Sequence, residues 1–251
     1  MKRHRPPVPP AYAFAAGILR PTMFALTRRD WRGAENLPAS GGFLACSNHI
    51  SYADPVALAH YLFDNDKPPH FLGKHSLFEV PVVGAILRRA DQIPVFRETG
   101  QAADAFGAAV AAVASGKCIA IYPEGTLTRD PDIWPMTAKT GAARIALTTR
   151  CPVIPIGQWG AQAMLAPYGK RLHLIPRPTM QVTAGPPVDL SDLHDQPLGR
   201  DILTTATNRI LAAITAIVED LRGETAPAER FDARAHGLKT TGNFKKKGRR
   251  R

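Results

Sequence analysis

Cysteine is scarce in this chain. Cys46, Cys118 and Cys151 are the only three in 251 residues. Three thiols with no CxxC spacing and no Cys/His cluster argue against a disulfide framework and against a structural zinc. Cys46 and Cys118 lie in apolar runs, and all three read as core thiols. Long hydrophobic runs are also missing. The best N-terminal stretch, Ala11–Leu19, stops at Arg20 and Pro21, far short of the ~18–20 residues of a spanning helix. No GxSxG elbow supplies a serine nucleophile, and no nucleotide-binding glycine motif occurs.

Positive charge is plentiful and unevenly placed. The net charge is +11. Residues 1–10 carry Lys2, Arg3 and Arg5 with no acid. Residues 239–251 carry Lys239, Lys245, Lys246, Lys247, Arg249, Arg250 and Arg251, also with no acid. The body between them is nearly neutral. Cationic ends suit anionic lipid headgroups. Nucleic-acid binding is not expected, because Phe244 is the one aromatic in the basic tail available for base stacking. A charged start before a short apolar stretch has the outline of a signal peptide. Pro6, Pro7, Pro9 and Pro10 interrupt it, and no small-residue cleavage site follows. Tyr12–Trp31 is therefore predicted to be an interfacial or core-covering helix.

From residue 42 to 158 short apolar runs alternate with helical patterns. Strands are predicted at 42–47, 70–73, 92–96, 118–122, 152–157 and 180–184. Helices are predicted at 52–63, 76–89, 101–115, 137–149 and 199–221, the last from an apolar stripe through Leu203, Ala206, Ile210, Ile214 and Val218. This alternation predicts a single α/β domain with a mostly parallel central sheet flanked by helices. Three regions follow: a basic arm and membrane-interfacial helical segment at 1–35, the α/β domain at 36–222, and a disordered basic tail at 223–251.

Reactive groups in such sheets gather in loops at the carboxyl ends of strands, and three motifs fall there. Asn48-His49-Ile50-Ser51-Tyr52-Ala53-Asp54 follows the first strand. It places His49 and Asp54 where a carboxylate can orient an imidazole and stabilise its protonated form, the arrangement a general base needs. Alone, an HxxxxD spacing is weakly specific. Ile93-Pro94-Val95-Phe96-Arg97 ends a strand on an arginine suited to forking a phosphate. Tyr122-Pro123-Glu124-Gly125-Thr126 offers a close-approach glycine and a hydroxyl for an anion. Glu124 would repel that anion, so it fits better as an acceptor for a substrate hydroxyl or as an anchor for a nearby cation.

Taken in order, His-x4-Asp, IPVxR, PEGT and the run Val153-Ile154-Pro155-Ile156 closely resemble the 1-acyl-glycerol-3-phosphate acyltransferase family of bacterial glycerolipid enzymes. Flanking segments match too: Gly73-Lys74, Pro81-Val82-Val83-Gly84 and Lys139-Thr140-Gly141-Ala142. The resemblance covers roughly residues 40–190. It implies that His49 deprotonates an acceptor hydroxyl, with Asp54 orienting it, and that the hydroxyl attacks acyl-CoA or acyl-carrier protein without an acyl-enzyme. It implies that Arg97 binds the glycerol phosphate, that Glu124, Gly125 and Thr126 shape its pocket, and that Lys74 and Lys139 add phosphate contacts. Val153, Ile154, Pro155 and Ile156 would line the acyl or acceptor tunnel. Many members carry a basic residue directly after PEGT. This chain has Leu127 there and its next basic residue is Arg129, so either Arg129 takes over the charge or the headgroup pocket differs. The resemblance thus implies transfer to the sn-2 hydroxyl of 1-acyl-glycerol-3-phosphate, giving phosphatidic acid for phospholipid synthesis. It calls for no metal and no cofactor, and for an enzyme peripheral or monotopic on the cytoplasmic face of the membrane. Transfer to another lysophospholipid or glycolipid stays open as an alternative. A His/Asp hydrolase and a non-catalytic lipid-binding module are the remaining ones.

Overall fold

A computed structural model describes residues 8–95 and 102–238. In chain order the elements are α1 (Pro10–Leu26), β1 (Arg28–Arg32), β2 (Phe43–Ser47), α2 (Asp54–Asp64), β3 (Pro69–Lys74), α3 (His75–Phe78), α4 (Val83–Arg89), β4 (Ile93–Val95), α5 (Ala102–Ala114), β5 (Cys118–Ile121), α6 (Gly141–Thr149), β6 (Val153–Trp159), α7 (Ala161–Met164), β7 (Thr179–Ala184) and α8 (Arg200–Arg222). The seven strands form one sheet in the order β1-β7-β6-β2-β5-β3-β4. Every pairing is parallel except β6 with β7.

Helices cover both faces, so the central strands are apolar throughout. Leu44 and Cys46 of β2 join Ile119 of β5 and Val153 of β6 under α5, α6 and α8. Phe43 and Ala45 point the other way and meet Ala57, Leu58 and Tyr61 of α2 and Met23 of α1. α8 is long and apolar enough to cross a membrane by length and composition. Its stripe of Leu203, Ala206, Ile210, Ile214 and Val218 is buried in this core instead. Each such leucine or isoleucine contributes ~1.5–3 kcal/mol on burial. Burial also lifts the Cys46 and Cys118 thiols far above their ordinary range, which leaves them inert.

The N-terminal helix ends earlier than predicted. Arg28–Arg32 is not helix but an edge strand paired with β7. Its charged side chains are tolerated because an edge strand is half solvated. The stretch 76–89 divides into α3 and α4 around Pro81. The region expected to be disordered from 223 also differs. Residues 224–238 adopt turns and pack on the body. Ala233 is buried, Thr137 donates its N–H to the Phe231 carbonyl, and Ala226 donates to Glu219 Oε1. The basic stretches 1–7 and 239–251 lie outside the described residues.

Candidate active site

The parallel strands β6, β2 and β5 lie side by side, so the segments that follow them meet at one edge of the sheet. Asn48, just after β2, donates from Nδ2 to the Gln158 carbonyl at 2.9 Å and accepts the Gln158 N–H on Oδ1 at 2.8 Å. This two-way bond ties the end of β2 to the end of β6. The next residue is His49.

His49 is held at its backbone N–H, its carbonyl and Nδ1. Its N–H donates to Glu124 Oε1 at 3.0 Å, and its carbonyl accepts the Thr128 N–H at 2.7 Å. Its Nδ1 lies 2.9 Å from Asp54 Oδ2. The same oxygen accepts the N–H groups of Ile50 (2.6 Å) and Ser51 (2.7 Å). An oxygen already accepting two backbone donors is an acceptor for the ring as well, so Nδ1 carries a proton and, in the neutral ring, Nε2 is the acceptor. Asp54 is fully buried at the first turn of α2, and the His49 side chain is 14% exposed. The imidazole therefore reaches solvent while its orienting acid does not.

The Tyr122 ring stacks on the His49 ring, with centroids 4.1 Å apart and planes 20° apart. Phe71 of β3 stacks behind Tyr122. Burial, reinforced by the Asp54 charge, holds the Tyr122 phenol well above its ordinary range. It is a neutral platform under the imidazole.

The expectation that Glu124 accepts a substrate hydroxyl or anchors a cation is corrected by its hydrogen bonds. Its side chain is buried, and its two oxygens accept the backbone N–H groups of His49 and of Met136 (3.2 Å). Burial pushes its carboxyl up to about 8, against the pull of those two donors. Glu124 thus braces the backbone behind the imidazole. Gly125 has φ +70°, and a Cβ there would lie 3.3 Å from both Cδ and Cε of Lys139. The glycine makes room for the lysine, whose own N–H bonds the Pro123 carbonyl.

The remaining predicted residues are spread around this centre. Leu127 is core, and Arg129 is buried beside Tyr168. The Tyr168 hydroxyl donates to the Leu127 carbonyl at 2.8 Å. Burial raises the Tyr168 phenol, while Arg129 and a hydrogen bond with Thr126 oppose that rise. Lys74 stands exposed at the end of β3, opposite Val95 at the end of β4. Arg97 lies outside the described residues. Val153, Ile154, Pro155 and Ile156, expected at a tunnel, line neither of the two main cavities among the described residues. They are buried in the centre of the sheet, with Val153 in one core and Ile154 and Ile156 in the other. An apolar run reads the same for a tunnel wall and for a central strand. An apolar cavity lies elsewhere. It holds about 510 Å³ between α1, α2 and α4, with Met23, Val56, His60, Phe63 and Phe71 in its walls. Tyr122, Asn48 and Gln158 were missed as site residues. The signals present were an aromatic directly before PEGT and an amide directly before the histidine.

A family model described as Acyltransferase matches residues 28–159, from β1 to the end of β6. A Borreliella burgdorferi protein named 1-acyl-sn-glycerol-3-phosphate acyltransferase is 32% identical over 125 residues, 49% of this chain and 48% of that protein. The chain thus matches about half the length of that relative. A Bacillus subtilis protein of the same name is 25% identical over 186 residues, 74% of this chain and 86% of its own. In fold, the chain is similar to the crystal structure of the 1-acyl-sn-glycerophosphate (LPA) acyltransferase, PlsC, from Thermotoga maritima. The TM-score is 0.63 at 21% identity, covering 86% of this chain and 81% of that one. The matched segment carries the histidine, its carboxylate and the bracing glutamate on one sheet edge, and this chain belongs to the acyltransferase family.

Proposed function

We propose that the chain transfers a fatty acyl group from acyl-CoA or acyl-carrier protein to the sn-2 hydroxyl of 1-acyl-glycerol-3-phosphate, giving phosphatidic acid. The observation that carries this reading is the 2.9 Å contact from Nδ1 of His49 to Asp54, which leaves Nε2 free. Nε2 removes the hydroxyl proton as the oxygen attacks the thioester carbonyl. The tetrahedral intermediate collapses with loss of the thiolate, which takes the proton back from Nε2. One C–O bond forms, one C–S bond breaks, and the base is regenerated without a cofactor. Arg97, Lys74, Lys139 and Arg129 are the cations for the acceptor phosphate, with Gly125 and Thr126 beside them. The groove between α1, α2 and α4 is a fitting place for an acyl chain, because its Phe71 wall backs the Tyr122 platform under His49.

Both acceptor and product are lipids, so the enzyme works at the cytoplasmic face of the membrane. The exposed Phe14, Ile18 and Leu19 of α1 and the basic ends supply the attachment. A second reading, transfer to another lysolipid, is favoured by the buried Leu127 where many family members hold a cation.

The test is acyl transfer by purified protein to a panel of lysolipids with both donors. His49→Ala should abolish transfer and keep the fold, and Arg97→Ala should mainly raise the KM for phosphate-bearing acceptors. Undiminished transfer by the first variant removes the base assignment. Unchanged acceptor dependence in the second removes the phosphate role. Thioester loss without acylated product would make the enzyme a hydrolase.

A further inference from the structure

The segment from Leu165 to Arg177 connects α7 to β7 without helix or strand, and the chemistry above does not use its tip. Its base is fastened at five points. The Leu165 carbonyl accepts Ser51 Oγ at 2.7 Å, two residues from His49. Tyr168 donates to Leu127, directly after PEGT. His173 donates its N–H to the Met164 carbonyl, and Leu174 packs on the core beneath α2. Arg177 donates to the carbonyls of Phe24 and Thr27 at the end of α1.

The tip is built the opposite way. Leu172 is 57% exposed and Ile175 is 94% exposed, although both are large and apolar. Lys170 and Arg171 stand beside them, also exposed. Paired aliphatic side chains flanked by cations match the layering of an anionic bilayer interface, with hydrocarbon below and phosphate above. Arg177 makes the loop continuous with α1, whose exposed Phe14, Ile18 and Leu19 line the apolar groove.

We propose that the 165–177 loop is a lipid-surface contact: Leu172 and Ile175 enter an anionic bilayer interface, Lys170 and Arg171 stay at its headgroups, and Tyr168 and Leu165 link that contact to the walls of the site. The loop presents the catalytic edge to lipid, which gives the acceptor reading above its route of delivery and rests on that reading for its purpose. The contact itself does not depend on turnover.

The experiment uses the full chain and vesicles of equal parts phosphatidylglycerol and phosphatidylcholine. Leu172→Ser with Ile175→Ser should weaken vesicle binding about tenfold or more. Transfer to a short-chain, water-dispersed lysolipid should be unchanged. Leu198→Ser, which alters another exposed leucine (47%) on a different segment, should bind as the parent does. Ile175→Trp should gain fluorescence quenched by brominated lipid over that of the parent. Parental binding by the double variant together with no added quenching overturns the proposal, as does equal loss in Leu198→Ser. Quenching and weakened binding in a protein that transfers no acyl group would leave this contact standing and sink the acyltransfer reading alone.

Discussion

The proton-handling side of the site and its cationic side are built by opposite rules. His49, Asp54 and Glu124 are nearly or wholly buried, and each is fixed by at least two hydrogen bonds, most of them to backbone N–H groups. Lys74 and Lys139 are exposed at the ends of flanking segments, with the Lys139 stem resting against Gly125, and Arg129 is the buried member of this cationic set. Proton transfer tolerates little misplacement, and backbone donors cannot rotate away, so rigidity is concentrated there. Headgroup recognition rests on charge, which an exposed ammonium supplies over a wider range of positions. The first side should govern kcat and the second acceptor KM, and substitutions can separate the two.

The largest separation should come from Asp54→Asn. It keeps the shape of the acid and removes the charge that fixes the Nδ1–H tautomer and stabilises the imidazolium. A fall in kcat of about three to four orders of magnitude is expected, with acceptor KM little changed. Steady-state kinetics with circular dichroism to check the fold decides it. A loss confined to KM would mean that the imidazole is a binding group.

Glu124→Gln should have a smaller effect with a distinct pH signature. Burial raises this carboxyl from 4.5 to about 8. Between those values the folded state holds a proton that the unfolded chain releases. Stability therefore declines as pH rises through that window and levels off above it, with a slope of at most ~1.4 kcal/mol per pH unit. Glutamine cannot titrate, so the variant should lose this contribution to the slope. Denaturant unfolding from pH 5 to pH 8 measures it, and parallel profiles for parent and variant would refute the buried-proton account. The variant should also turn over more slowly, because the amide oxygen can replace only one of the two acceptors that hold His49 and Met136.

The same contrast explains what could be read from sequence. The sheet was legible because doubly covered parallel strands need near-continuous apolar runs, and CIAI and FLACS supply them. The His49–Asp54 pair was legible because five residues at a strand-to-helix junction can close one local turn. β1 was hidden because RRDWR at a sheet edge need not be apolar. The clamp between Asn48 and Gln158 spans 110 positions and depends on β2 lying beside β6. Glu124 was misjudged for a related reason. Its partners are backbone N–H groups, which every non-proline residue has and no sequence motif marks. Residues 224–238 look like tail by composition, yet Phe231 and Ala233 fasten them.

The smallest effect belongs to Lys139→Ala, and it is the one that sharpens the comparison. The lysine stem fills the space that Gly125 leaves open, while its side chain as a whole remains exposed. An exposed ammonium acting on a phosphate contributes ~0.2–1 kcal/mol, screened by salt. Acceptor KM should therefore rise a few-fold at low ionic strength, and the gap from the parent should shrink as salt is added. At every salt concentration kcat should match the parent, because the Pro123 carbonyl is held by the backbone N–H of residue 139, which alanine retains. A salt-independent loss in kcat would place this lysine with the rigid group around His49, and the division between a fixed proton relay and an adaptable cationic rim would fail at that residue.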